Sequence, residues 1–551
     1  MALLNIHSAL ASISPIQTSD ITLVRFVLVG IVGALLLSSA TSFLKDRRAI
    51  PKGSKPLPGP KGWPIVGNAL SIPKSHAWFK FKEWGDQYGP IYQVRAFGTT
   101  LVIISKESIA NELLSLRGVI YSDRPALIMP GLISDNGFLG ASGWNDYWRR
   151  ARRFTQSMLS TNIIQQSIPK QTLEARQMVV DLARDSAEYT YWLERAGVMV
   201  SMKQIYGVSE ERGAAEKKHV EGICGFMENI ERVAIPGAYL VEFLPWLMNL
   251  PTWLAPFKKE AQRLVKGHWD YLAPLVQSEK SADTRSGQPE SFSQKFSKSK
   301  QDWNLDDREI VWALASIYGG AAGTSSTAMQ SLILNMCLFP EWQGRIQEEI
   351  ERVVGGDRPP DYNDSSSLPT IRAVIKETLR WRPVLSGGFP HSVTKDDTYE
   401  GYHIPKGAVI IPNQWAILRD EEQYPDAESF KPERWLQPEY STYQEPLTIY
   451  PNLKRFAAFG HGRRICPGLE VSEKALFLQF SSLLWACNIK RARDADGKEV
   501  EVPFYDYTGV SVSTPRKFQF VVEERKEGRL KMMRDVALSE HLDELAAVRA
   551  S

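Results

Sequence analysis

Phe456-Ala-Ala-Phe459-Gly460-His-Gly462-Arg-Arg464-Ile-Cys466-Pro467-Gly468-Leu469 surrounds one cysteine with residues that control backbone shape and local charge. Gly460, Gly462 and Gly468 permit turns that a Cβ would forbid and let the chain approach a flat ligand closely, while Pro467 fixes φ where a helix can begin. Cys466 then sits at the mouth of that helix, where amide donors and the positive helix end favour a thiolate, the form that binds metals. Arg464 supplies a counter-charge for an acidic ligand, and Phe459 packs beside the sulfur as a shield from water. Most cysteines are small buried hydrophobes, which is the reading for Cys224, Cys337 and Cys487.

Around Cys466 the pattern F-x-x-G-x-R-x-C-x-G is filled at every fixed position, by Phe459, Gly462, Arg464, Cys466 and Gly468. The segment resembles the haem-binding loop of the cytochromes P-450, the haem-thiolate monooxygenases. The resemblance implies a mainly α fold with small β-sheets that holds haem b, with Cys466 as the axial ligand to iron. A thiolate in that position pushes electron density through iron and favours O–O cleavage.

Size and composition are compatible with this. Length alone, at 551 residues, suggests three or four domains, but the resemblance implies one catalytic unit over residues 69–525. A formal charge of +3 gives no strong overall field and argues against a nucleic-acid partner. Four dispersed cysteines make no disulfide framework, which places the globular part in a reducing compartment.

The nineteen residues Phe26 to Leu44 carry no charge, roughly 29 Å of helix, which matches a bilayer core. Lys45, Arg47, Arg48, Lys52 and Lys55 follow, whereas residues 1–24 contain no Lys or Arg. The positive-inside rule then predicts a single-pass anchor at 21–44, a short non-cytosolic segment at 1–20, and a cytosolic catalytic domain at the endoplasmic reticulum membrane. The competing reading, a cleaved signal peptide, lacks the usual basic start. Residues 45–68, basic and rich in Pro and Gly, read as a stiff hinge resembling that of microsomal family members.

Further motifs follow in the family's order. Ile91 to Ala96 and Leu101 to Ile104 read as a hairpin, and Tyr402 to Ile404 with Ala408 to Ile411 as another. Tyr121 to Gly143 is turn-rich yet apolar, and resembles the first substrate-recognition loop. Trp144 to Leu159 reads as a helix on which Trp148 and Arg152, four apart, share a face, and both are expected to reach a haem propionate. Arg149, Arg150 and Arg153 point elsewhere, as a basic surface for an acidic electron donor. Phe226 to Phe257, dense in Trp, Pro and Leu, suits a lid that dips into lipid or a substrate mouth. Glu279 to Gln301 reads as a solvated loop.

A long buried helix is expected from about Leu305 to Leu338, capped by Asn304 and stopped by Pro340. Its centre, Gly319-Gly320-Ala-Ala-Gly323-Thr324-Ser325, is weak in helix terms, and glycine there suggests that something comes close. Resemblance places this helix over the haem, with Thr324, aided by Ser325, serving oxygen activation and proton relay. The chain departs from the family pattern just before that threonine, where Gly323 replaces the usual acid.

Thr370 to Arg382 reads as a second clear helix, on which Glu377 and Arg380 form an E-x-x-R pair. Resemblance joins Arg434 of Pro432-Glu433-Arg434-Trp435 to them in a buried cluster. Val384 to Ser392 resembles another recognition region, with His391 placed to donate to a propionate. Val471 to Cys487 reads as a buried helix and Tyr507 to Pro515 as the last recognition loop, in which Val510 and Val512 are expected to reach the pocket. Residues 526–551 read as a charged C-terminal tail, and the sequon at Asn363 lies on the wrong side of the membrane to be glycosylated.

The reaction implied is insertion of one oxygen atom from O₂ into an apolar small molecule. The electrons would come from NADPH through the membrane-bound P-450 reductase, and the texture of the chain resembles fungal members that act on secondary metabolites. Two readings stay open beside it. With Gly323 in place of the acid, the haem could catalyse rearrangement or dehydration without external electrons, or the chain could be a non-catalytic membrane haem carrier.

Overall fold

Apolar stripes at helical spacing and short β-branched runs come together in a helical body with three small sheets. The computed structural model describes residues 50–63, 66–208, 213–278 and 290–549, together with Gly30 and Gly33. The expected anchor at 21–44 otherwise lies outside the described residues, among which no helix is long and apolar enough to cross a membrane.

The chain runs through α1 (Ala77–Tyr88), α2 (Ile128–Leu132), α3 (Asp146–Met158), α4 (Thr161–Arg184), α5 (Tyr189–Ser201) and α6 (Ala214–Ala234). It continues through α7 (Pro256–Ser278), α8 (Asp307–Leu338), α9 (Pro340–Val353), α10 (Pro369–Trp381), α11 (Leu469–Ala486) and α12 (Arg529–Arg549), with short turns between. The core has two parts. One gathers α4, α5, α9, α10 and α11 around the C-terminal half of α8, and the other gathers α2, α3, α6 and α7 around its N-terminal half. The glycine-rich centre of α8 lies where the two meet.

α8 begins differently from the expectation. Asn304 takes a left-handed conformation (φ 50°) and ends a preceding short turn, while Asp306 caps α8 by accepting from the N–H groups of Arg308 and Glu309. The Glu309 side chain reaches back to the Asp306 N–H, so the two side chains satisfy each other's orphan donors.

The strands are β1 (Lys55–Pro56), β2 (Ile91–Ala96), β3 (Thr99–Ile104), β4 (His391–Ser392), β5 (Asp397–Tyr399), β6 (Tyr402–Ile404), β7 (Val409–Pro412), β8 (Cys487–Arg491) and β9 (Phe520–Glu524). β2 and β3 form the expected hairpin. Phe97 and Gly98 both have positive φ, as a two-residue primed turn needs, and this brings Thr99 and Thr100 into the ladder. The second expected hairpin does not form. β6 pairs with β5 across Glu400-Gly401, again two positive-φ residues, whereas β7 crosses to the other sheet and lies parallel to β3. A turn at Pro405-Lys-Gly407 was legible, but not which sheet each flanking strand would join.

Two further expectations are corrected. Within Glu279 to Gln301, the described part from 290 is largely helical, Phe292–Lys298 and Lys300–Trp303, and it buries Phe292 and Phe296. The charged C-terminal tail is the helix α12, docked on α4 with Met533 and Ala537 buried. Arg176 pairs with Glu540, and Arg529 with Glu351 (2.8 Å).

Candidate active site

The loop around Cys466 folds back on itself, the Cys466 N–H donating to the Phe459 carbonyl at 2.9 Å. Gly462 (φ 58°) could carry no side chain, because a Cβ would lie 2.1 Å from the Leu114 carbonyl oxygen. Phe459 packs half-buried against the larger core. Gly468 caps α11, and its N–H points at the Cys466 sulfur. Burial nonetheless pushes the Cys466 thiol up, outweighing the Gly468 N–H and the nearby Arg152. The protein alone therefore favours a thiol, which a coordinated metal ion would deprotonate.

Beside this loop three guanidiniums converge. Arg464 donates to the carbonyls of Ser122 (2.8 Å) and Ser142 (3.0 Å) and lies 3.8 Å over the ring of Trp148. Arg152 donates to the Ile465 carbonyl and leaves its buried Nε–H without a partner. Arg124 donates to the carbonyls of Pro390 and Gly140. Burial and mutual repulsion drive Arg124 far below its ordinary range, and burial, the largest effect, brings Arg464 down to about 9. Asp123 is the carboxylate that offsets them. Such a cluster is stable when an anion completes it.

His391 belongs to the same group, and one of its ring nitrogens is already engaged. Its Nδ1 lies 2.8 Å from the Tyr121 carbonyl, which can only accept, so the ring N–H is used there. Burial and then Arg124 drive the ring far below its ordinary proton affinity. Donation from the other nitrogen would need a second proton.

α8 faces this cluster. Between Ile310 and Cys337 its only positions that are not buried are Ser316, Ile317, Gly320, Ala321, Gly323, Thr324 and Ser325, one strip at helical spacing. Leu139 joins the two sides, its N–H donating to Ser316 Oγ at 3.0 Å while its carbonyl faces Arg464. The Thr324 hydroxyl donates to the Gly320 carbonyl at 2.7 Å, leaving its oxygen free to accept, and Ser325 follows 100° round the helix. No atom lies within 4 Å of a Cβ built at Gly323, so an acid fits there. Gly323→Asp should lower the hydrogen peroxide released per NADPH consumed by about threefold or more, a small part of what a placed proton donor can supply. An unchanged ratio would mean that the proton route bypasses this position.

Glu377, Arg380 and Arg434 are fully buried and in contact. Arg380 grips the Glu377 carboxylate with two bonds of 2.9 and 2.8 Å, and Arg434 approaches it at 3.3 Å. The basic surface on α3 is weaker than expected. Asp146, one turn earlier, pairs with Arg149 and Arg150, and Glu309 of α8 takes Arg150 as well (2.6 Å), leaving Arg153 exposed.

Arg124 was the residue that sequence reading passed over. It is the only Lys or Arg between Tyr121 and Gly143, and a lone cation in an apolar loop is the signal that could have found it. Cys224, Cys337 and Cys487 are free thiols, the last two buried.

A cysteine under a glycine cap, a buried cation cluster with an unused N–H, and an apolar helix strip facing both fit a flat iron cofactor with two carboxylates, the haem of a haem-thiolate monooxygenase. The chain belongs to the cytochrome P450 family, whose model matches residues 57–520. It is 32% identical over 487 residues to cytochrome P450 monooxygenase 58 of Postia placenta, covering 87% of this chain and 89% of that protein. It is also 32% identical to monooxygenase claR of Ampulloclitocybe clavipes (94% of each chain) and 34% identical to monooxygenase psoD of Aspergillus fumigatus (87% and 93%). The family's haem is held by a cysteine thiolate, and Cys466 stands at that position. α12 falls beyond the matched residues.

Proposed function

We propose that this monooxygenase oxidises an apolar small molecule of fungal secondary metabolism, drawn from the endoplasmic reticulum membrane to which residues 21–44 anchor it. The exposed apolar surface carries this reading. Trp63, Leu240, Trp246 and Trp253 are exposed, Trp253 to 73%, and Phe243 packs on Phe97 at the β2–β3 turn with ring centroids 4.8 Å apart. Indoles and leucines grouped in this way favour a lipid headgroup layer, and a mouth set in lipid admits ligands dissolved there. The fungal relatives support the metabolic setting.

Haem supplies the oxygen chemistry when bound. Around it Cys466 would ligate the iron and Arg124, Arg152 and Arg464 would neutralise the propionates, while Trp148 stacks on Arg464. Glycines and apolar side chains of the α8 strip orient the substrate and exclude water. The Thr324 hydroxyl holds a proton donor in place, with Ser325 beside it. The substrate C–H and O₂ consume two electrons and two protons, giving a hydroxylated product and water. NADPH supplies the electrons through a flavoprotein reductase docked near Arg149 and Arg153 of α3.

The test is incubation of membranes holding this chain and a reductase with NADPH, extracts of the source organism and ¹⁸O-labelled O₂. A product that gains one labelled oxygen only when NADPH is present supports the proposal. A product formed without O₂ and NADPH would replace it with rearrangement or dehydration.

A further inference from the structure

Residues 235–255, which join α6 to α7, contain one charged residue, Glu242. Its neighbours Leu240, Phe243, Trp246 and Trp253 are exposed and apolar. A carboxylate on such a strap would ordinarily turn to solvent or to a cation. Instead its two oxygens accept from the backbone N–H groups of Ile128 (2.9 Å) and Met129 (2.7 Å), and no Lys or Arg pairs with it among the described residues. These N–H groups are the first two donors of α2, which no bond within that helix can satisfy.

α2 is held very differently at its two ends. On the C-terminal side, the Ile133 carbonyl meets His268 of α7 at 3.0 Å, and Asp135 accepts from Arg308 (2.6 Å) and Trp312 (3.2 Å) of α8. Met129 and Ile133 are buried in the core part that contains α6 and α7. At the N-terminal end Leu127 is partly exposed, and the polar tie is Glu242.

We propose that Glu242 is a positioning residue that latches α2, which lies within the loop resembling the first substrate-recognition region, to the apolar strap, and so sets how often the pocket opens to bulky ligands. The inference rests on the reading that substrates enter beside this strap. Breaking the latch uncouples the N-terminal end of α2 from the strap, while the C-terminal end stays tied to α7 and α8. Ligand entry and exit both pass through the opened form, so both become faster and affinity changes little. A ligand small enough to enter without opening is unaffected.

The experiment uses the full-length haem-loaded chain in membranes, with clotrimazole as the bulky iron-binding probe and carbon monoxide as the small one, both followed by stopped-flow or flash absorbance. Glu242→Leu should raise the clotrimazole association and dissociation rates about tenfold, the equivalent of one charge-assisted hydrogen bond. Carbon monoxide recombination should stay at the wild-type rate. Ile128→Pro removes one donor at the first helical turn, where proline is tolerated, and leaves Glu242 intact. It should reproduce part of the effect, and the double variant should add little to Glu242→Leu. Clotrimazole rates unchanged in Glu242→Leu, or effects of the two substitutions that multiply, would overturn the proposal. Failure of the wild-type chain to give an azole-shifted Soret band would instead strike at the haem assignment itself.

Discussion

Glu377→Gln yields a chain that takes up little or no haem and loses its protease-resistant core. Glu377 accepts five hydrogen bonds: two from Arg380, and one each from the Lys431 N–H (2.8 Å), Arg434 (3.3 Å) and the Trp435 indole (3.0 Å). The remaining donors of Arg380 and Arg434 go to carbonyls of Leu418, Pro425, Asp426, Ala427 and Ser429. One carboxylate thus offsets two guanidiniums where water is absent. Removing one partner of such a group costs about 3–5 kcal/mol, a large share of the roughly 5–15 kcal/mol that holds a domain together. The damage runs directly to the haem loop, because Trp435 packs on Phe456 (5.9 Å between ring centroids) at its start. Haem per protein and the thermal midpoint report the effect. Glu377→Asp keeps the charge with a shorter reach and should retain part of both. Wild-type haem content in Glu377→Gln would reduce the cluster to an ordinary ion pair.

The parts of this molecule that a linear reading reaches are those whose physics is local. The loop around Cys466 was legible because each glycine and the proline has a backbone job within a few residues, and α8 because apolar residues surround it on all sides until Pro340. The E-x-x-R pair was legible as spacing, and its depth required Arg434, 54 residues later, to close it. What escaped depends on partners remote in the chain. β6 and β7 separate into two sheets because β3 and β5 were already waiting on different sides. Arg150 loses its expected outward charge to Glu309, 159 residues away. The tie of His391 to the Tyr121 carbonyl joins residues 270 apart. Glu242 finds its partners, the Ile128 and Met129 N–H groups, more than a hundred residues earlier in the chain.

Cys466→Ser separates the sulfur's chemistry from its place in the fold. The bond that closes the loop is made by the Cys466 backbone N–H, and the oxygen of serine is smaller than sulfur, so the loop keeps its shape. Arg124, Arg152 and Arg464, the guanidiniums proposed to hold the propionates, remain in place. The variant should therefore fold and bind haem in near-wild-type amount, in contrast to Glu377→Gln. Its carbon monoxide adduct should lose the long-wavelength Soret band that a sulfur anion opposite the gas imposes, and product formation should fall to background, because the electron push that favours O–O cleavage comes from that sulfur. Cys337→Ser and Cys487→Ser are the controls. Both thiols are buried in the core, Cys337 at the C-terminal end of α8 and Cys487 on β8, outside the loop around Cys466, so both variants should keep the band at some cost in stability. A long-wavelength band that survives in Cys466→Ser, or disappears in either control, would place the ligand elsewhere and undo the assignment of the site.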